Sequence, residues 1–179
     1  MIKDIPGLIE NVTKELKNFS DIAVVGMSGG ADSTLVATLC KLALGEENVY
    51  GYGLPYNYID VLTFNTNSRA VAEKLGIHYS DIRIQEPVDK LAVTFFDEVG
   101  TFMSPLNLGN LKSRMRTNML YAFNAYLGEA NGVRSRVIGT GNLSEDYIGY
   151  DTKGGDALAD IFPIGTLFKS EVYQLLDYF

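Results

Sequence analysis

Gly26, Met27, Ser28, Gly29, Gly30, Ala31, Asp32 and Ser33 lie between two segments of different periodicity. Residues 22–27 are apolar and rich in β-branched side chains, the pattern of a strand buried on both faces of a parallel sheet. Residues 34–44 carry Leu35, Leu39 and Leu42 at three- and four-residue spacing, the pattern of a helix. Gly29 and Gly30 permit backbone angles that a side chain would forbid, so successive N–H groups can turn into one concave nest. The helix that follows adds partial positive charge at its N-terminus, and the two together favour a phosphate. A plainer account of the same residues is a turn in which Ser28, Asp32 or Ser33 only caps the helix. The acid and hydroxyl at fixed offsets after the glycines favour the phosphate site. The stretch lacks the Lys-Ser/Thr pair of a Walker A loop and the three glycines of a Rossmann turn.

The rest of the chain repeats the alternation. A helix over 7–19 carries Leu8, Ile9, Val12, Leu16 and Phe19, and a second strand over 48–54 is stopped by Pro55. A helix over 66–76 ends at Gly76, and 78–84 supplies a third strand. Residues 87–103 read as a helix, 103–110 as a loop containing Pro105 and Gly109, 111–127 as a helix, and 134–139 as a fourth strand. Such alternation predicts an α/β fold: a doubly wound, mainly parallel sheet with helices on both faces. Ligands of these sheets lie beyond the carboxyl ends of the strands, so residues 53–58 would approach a nucleotide base or form an ordinary strand exit. On the 111–127 helix, Lys112 and Arg116 share a face whereas Arg114 aligns with Asn118 and Tyr121. The stripe of Leu111, Met115, Met119, Ala122 and Tyr126 reads as core or subunit interface.

With 179 residues, 46% of them hydrophobic, the chain suits one domain over 1–179. A net charge of -7 argues against general binding to nucleic-acid backbones, so a small ligand is expected. Cys40 is the single cysteine and reads as a buried apolar side chain in a reducing compartment. No run of transmembrane length and no secretion signal is visible, so a cytoplasmic protein without membrane association is expected. The lone His78, entering a strand, leaves little for a multi-histidine metal site or a Ser-His-Asp triad.

A second cluster follows the fourth strand: Gly139, Thr140, Gly141, Asn142, Leu143, Ser144 and Glu145, then residues 149–156 and Asp160. A flexible surface loop would share this composition, but glycines, hydroxyls and acids at a strand's carboxyl end favour a site. Asp32 and Glu145 would lie at the carboxyl ends of two strands of one sheet, able to share a cation such as Mg²⁺ that neutralises phosphate oxygens.

The 26–33 stretch resembles the PP-loop of the ATP pyrophosphatase families, which cleave ATP between its α and β phosphates. Residues 109–114, 139–145 and 149–156, with 159–164 and Lys169, are similar in order and spacing to the ammonia-dependent NAD synthetase pattern, covering most of 22–175. The resemblance implies an adenine nucleotide alpha-hydrolase-like fold in which Gly26 to Ser33 hold ATP phosphates and Asp32 and Glu145 bind Mg²⁺. It further implies that Thr140 contacts the adenosine of ATP and Lys169 its phosphates, and that Arg114, Lys153 and Asp160 hold nicotinic acid adenine dinucleotide. Ammonia would be the nitrogen source, no protein nucleophile would be needed, and the assembly would be a homodimer. Two departures stand out: the 55–70 segment is longer than the pattern, with Arg69 where relatives often carry an acid, and the pattern continues beyond Phe179, so a C-terminal segment is expected to be missing. The alternatives are another PP-loop ligase that adenylates a different carbonyl, and a nucleotide-binding module without turnover.

Overall fold

The computed structural model describes residues 1–57, 59 and 65–179. Helix α1 (Ile5–Phe19) opens on Asp4, whose carboxylate accepts from Gly7 N at 3.0 Å, and buries Leu16 completely. Strand β1 (Ile22–Gly26) leads into α2 (Ala31–Leu44), and β2 (Val49–Gly53) follows. Helix α3 (Asn65–Leu75) and β3 (His78–Asp81) come next, then α4 (Gln85–Val99), α5 (Pro105–Asn131) and β4 (Ser135–Ile138). The short α6 (Leu143–Ile148) and α7 (Lys169–Tyr178) complete the described elements.

The four strands are parallel, in the order β3-β2-β1-β4. Alternation along β1 sorts its side chains by face. Ala23 and Val25 join the larger core, with Leu16 of α1, Leu35 and Leu39 of α2, Ala72 of α3 and Val172 and Leu175 of α7. Ile22 and Val24 pack on the other face with Leu127 and Leu120 of α5. A third cluster of Leu54, Ile84 and Val88 joins α4 to Leu111, Met115 and Met119 of α5. Each such buried aliphatic side chain contributes on the order of 1.5–3 kcal/mol, which is why helices on both faces are needed to close the sheet. The doubly wound α/β fold expected from the alternation is the fold observed.

Several boundaries differ from the sequence expectation. The 103–110 stretch is no loop: α5 begins at Pro105, with the Ser104 hydroxyl accepting from Asn107 N at 3.2 Å, and runs 27 residues through Gly109. Proline at the start of a helix lacks only an N–H that would be unpaired there, so it marks a beginning where a break was expected. Helix α4 stops at Val99 because Gly100, at φ 76°, closes it in the left-handed conformation. The third strand ends at Asp81, although Ile82 N and Ile84 N still donate to Gly53 O and Pro55 O. His78 stacks on Tyr50 with ring centroids 4.4 Å apart, and Cys40 is fully buried, its thiol pushed up to about 12 by desolvation. The burial of Cys40 is as expected. Tyr58 and residues 60–64, which belong to the 53–58 and 55–70 segments singled out above, lie outside the described residues. Among the described residues no helix is long and apolar enough to cross a membrane.

Candidate active site

Chain order reverses direction across the sheet between β1 and β4: β2 and β3 extend on one side of β1, and β4 returns to the other. Crevices at such switch points are where open α/β sheets bind ligands. Here the carboxyl ends of β1 and β4 border a cavity of about 730 Å³ lined by Gly26, Met27, Ser28, Asp32 and Ser33 on one side and Gly139 to Asn142 with Glu145 on the other.

The loop after β1 turns at Gly29, whose φ of 77° is in the region that favours glycine. Its serines bind one another: Ser28 Oγ lies 3.2 Å from Ser33 Oγ, and Gly30 N donates to Ser28 Oγ at 3.3 Å. Gly30 is the N-cap of α2, and no side chain caps the helix. The plain capping account of Ser28, Asp32 and Ser33 therefore does not hold, and Asp32 and Ser33 of the first helical turn line the cavity instead.

Asp32 is held from two other parts of the chain. Asn142 Nδ2 donates to Asp32 Oδ1 at 3.0 Å, and the Lys169 ammonium pairs with Oδ2. Asn142 is also the N-cap of α6, its Oδ1 accepting from Ser144 N at 3.0 Å and Glu145 N at 3.2 Å. The Glu145 carboxylate answers from Asn142 N at 3.4 Å, completing a capping box. Ser144 Oγ accepts from Lys169 N at 3.0 Å, and Leu143 N donates to Leu167 O at 2.9 Å, so the same turn fixes the start of α7. Thus Asp32, Glu145 and Lys169 meet around one turn, and Thr140 lines the cavity beside them.

The 149–160 segment is fastened and not a free loop. Ser113 Oγ donates to Asp156 Oδ1 at 2.9 Å and accepts from Asp156 N at 3.0 Å, Thr152 Oγ1 donates to Asn110 Oδ1 at 3.1 Å, and Arg114 Nε donates to Lys153 O at 3.0 Å. Asp160 accepts from Val137 N at 2.7 Å and from the Tyr121 hydroxyl at 3.2 Å, and with burial it pushes the Tyr121 phenol up. Beyond it, Gly139 N donates to Ile161 O at 2.8 Å, extending the β4 edge, and the Phe162 ring covers Gly139.

Arg114, Lys153, Asp160 and Lys169 do not line the cavity themselves, nor do Gly29, Gly30 and Ala31. Arg114 of α5 holds the Lys153 backbone, and Tyr121 of the same helix holds Asp160. The guanidinium that does line the cavity is Arg116, with Nε donating to Leu54 O at 2.9 Å, while Lys112 turns to the Tyr56 ring 3.6 Å away. Sequence reasoning placed Arg116 on a face apart from Arg114 but did not choose it. The available signal was the i, i+3, i+4, i+7 stripe of Ser113, Arg116, Thr117 and Leu120, all four of which line the cavity. Asn142, read only as part of a motif, was likewise missed as the residue joining the two halves of the site.

Asp32, Glu145, Asp146, Asp151 and Asp156 line the cavity against Arg116. A polyphosphate can enter such a lining only with counter-charge. Asp32 and Glu145 are the two carboxylates bound to Asn142, and Mg²⁺ is a cation that takes one or two carboxylates and completes its shell with phosphate oxygens and water. No group of three or more metal-ligating side chains occurs among the described residues.

A four-stranded parallel sheet with helices on both faces, a glycine turn after β1 and a carboxylate–amide–ammonium set beside that turn defines the PP-loop α/β class. The profile of the NAD synthase family matches residues 1–179, and the chain belongs to that family. It is 39% identical over 155 residues to the NH(3)-dependent NAD(+) synthetase of Methanosarcina acetivorans, covering 87% of this chain and 57% of that protein. The chain spans less than two thirds of the length of that relative, and 63% of the length of the NH(3)-dependent NAD(+) synthetase of Pyrococcus horikoshii. Among solved structures, it superposes on the NH3-dependent NAD synthetase of Campylobacter jejuni with a TM-score of 0.82 at 34% identity, covering 98% of this chain and 73% of that one. It also superposes on the NMN synthetase of Francisella tularensis with a TM-score of 0.80 at 29% identity, covering 99% and 71%.

Proposed function

We propose that this protein is a ligase that amidates nicotinic acid adenine dinucleotide to NAD, using ATP and ammonia and releasing AMP and pyrophosphate. The observation that carries this reading is the meeting of Ser28, Asp32 and Ser33 with the Glu145 turn at one cavity, Lys169 being paired with Asp32, in a chain of the NAD synthase family.

In the proposed reaction a nicotinate carboxylate oxygen attacks the α-phosphorus of ATP, the bond to the bridging oxygen breaks, and pyrophosphate leaves. Ammonia then adds to the acyl carbon, gives up a proton, and AMP departs with the carboxylate's former oxygen. The residues here serve by position and charge. Residues 26–33 would hold the phosphates on loop amides and the α2 N-terminus, and Lys169 would release Asp32 to meet phosphate charge. Asp32 and Glu145 would hold Mg²⁺, which when bound neutralises phosphate oxygens. Thr140 would contact adenosine. Arg114, Lys153 and Asp160 would shape the dinucleotide wall, and Arg116 would present its guanidinium to the dinucleotide's phosphates. Positioning and charge neutralisation account for the chemistry without a catalytic histidine or cysteine.

A homodimer is part of the proposal, supported by apolar side chains left open near the junction of α4 and α5: Phe102 is 81% and Leu106 73% exposed. A cytoplasmic location fits the buried, unpaired Cys40.

The test is calorimetric titration with Mg-ATP and then with the dinucleotide, followed by addition of ammonia and assay for AMP and NAD. Binding with turnover is expected; an intact protein that forms neither product refutes the reading. Because the Francisella tularensis NMN synthetase superposes nearly as well, nicotinic acid mononucleotide is assayed in parallel. Preference for it would replace the dinucleotide as substrate while leaving the amidation chemistry in place.

A further inference from the structure

Resting on that reading, we infer that Asn142 is a positioning residue that aims the Asp32 carboxylate at the Mg²⁺ it would hold against the ATP phosphates. Asn142 is 1% exposed, so each of its polar atoms needs a partner inside the protein. Its Oδ1 accepts from both Ser144 N and Glu145 N, which fixes which end of the amide faces the α6 turn. Nδ2 is then left facing the cavity side, where it donates to Asp32 Oδ1 at 3.0 Å across 110 residues of sequence. The amide orientation follows from the cap, since reversing it would set an NH₂ against two amide N–H groups.

This arrangement gives Asp32 a donor that is rigid and neutral. Asp32 sits in the first turn of α2, where an acidic side chain can swing toward the helix amides. Lys169, 38% exposed on a flexible stem, balances its charge but does not define its direction. Asn142 can, because a cap with two bonds to backbone amides anchors its own side chain. It leaves the charge of Asp32 unaltered and commits only one lone pair of Oδ1. The same residue positions Glu145 through its backbone N–H, so both carboxylates of the site take their bearing from one side chain and its amide.

The discriminating variant is Asn142→Ser. Serine caps a helix about as well as asparagine, so α6 is retained, but its hydroxyl is too short to reach Asp32. The melting midpoint is expected to stay within about 3 °C of the parent, whereas Mg-ATP affinity by calorimetry falls by about tenfold or more. ATP binding in the presence of EDTA is expected to change less than twofold, because the loop amides are untouched; a residue with only a structural role would lower both alike. In the Asp32→Ala background the serine substitution should produce no further loss of Mg-ATP affinity, since there is no carboxylate left to aim. Asn142→Thr, which also caps, takes its place if the serine variant does not fold. Unchanged Mg-ATP affinity in a folded variant, or equal losses with and without the metal, overturns the assignment alone. A parent protein that binds no Mg-ATP overturns the assignment together with the proposed function.

Discussion

Lys169 and Asp32, 137 residues apart, are joined as an ion pair at the edge of the cavity, with the lysine at the first position of α7 and the aspartate in the first turn of α2. The pair links two helices that the sequence separates by almost the whole chain. It also sets a charge of each sign beside the loop built for phosphate.

Asp32→Ala is expected to impair use of Mg-ATP far more than stability. The lysine partner is more than a third exposed, so the pair contributes at most about 1 kcal/mol to folding after solvent screening. Mg-ATP affinity should fall by about tenfold or more, with the denaturant midpoint almost unmoved. A large loss of stability with binding retained would return Asp32 to a structural role.

Arg116→Ala and Arg114→Ala should differ. Removing the cavity-lining guanidinium is expected to lower kcat/KM for the dinucleotide by about tenfold or more, the scale of one lost charge-assisted hydrogen bond. Arg114→Ala removes only the bond to Lys153 O and should chiefly speed hydrogen exchange in 150–156. The reverse order in kcat/KM would mean that Arg114 meets the substrate.

Gly139→Ala would place a Cβ overlapping the Phe162 ring and 2.8 Å from Ala159 Cβ, at the point where β4 meets the 159–162 segment. Thermal or chemical unfolding should show a loss of about 1–3 kcal/mol, the usual cost of overpacking. Combining it with Phe162→Ala should cost less than the sum of the two, because the second change removes the overlap. Simple additivity would argue against this contact as the cause.

The pair of Asp21 and Arg134 predicts a pH dependence. Arg134 donates to Asp21 through Nε at 3.0 Å and Nη2 at 2.8 Å, and its side-chain and backbone hydrogen bonds lower the Asp21 carboxyl from 3.8 to about 2. A carboxylate whose folded pKa is depressed binds protons more readily when unfolded. Its contribution is therefore present above about pH 4 and lost as pH falls from there through about 2. In Arg134→Ala the Asp21 carboxyl resonance, followed by NMR, should titrate higher than in the parent but still below its ordinary value, because the backbone N–H of residue 134 continues to donate to it at 2.9 Å. A titration still centred near 2 would show that another group lowers it.

What was legible in the sequence was what neighbours along the chain determine. The apolar run of 22–26, the leucines of 34–44 and Gly29 between them specify a strand, a helix and a left-handed turn by local backbone preference, and each stands where its pattern put it. The placement of Asp32, Thr140 and Glu145 at the cavity was legible for the same reason, because their offsets from a strand end are short. The start of α5 was misread where Ser104 and Pro105 form a cap and first turn, since proline both breaks and begins helices and the sequence alone does not say which.

Only the tertiary structure decided which arginine of α5 lines the cavity, that Lys153 is held by its backbone, and that Asn142 joins Asp32 to Glu145. Those outcomes depend on how α5 is rotated against the sheet and on where α7 begins relative to α2. Rotation and approach are set by packing among residues from tens to more than a hundred positions apart, and no local pattern carries that information.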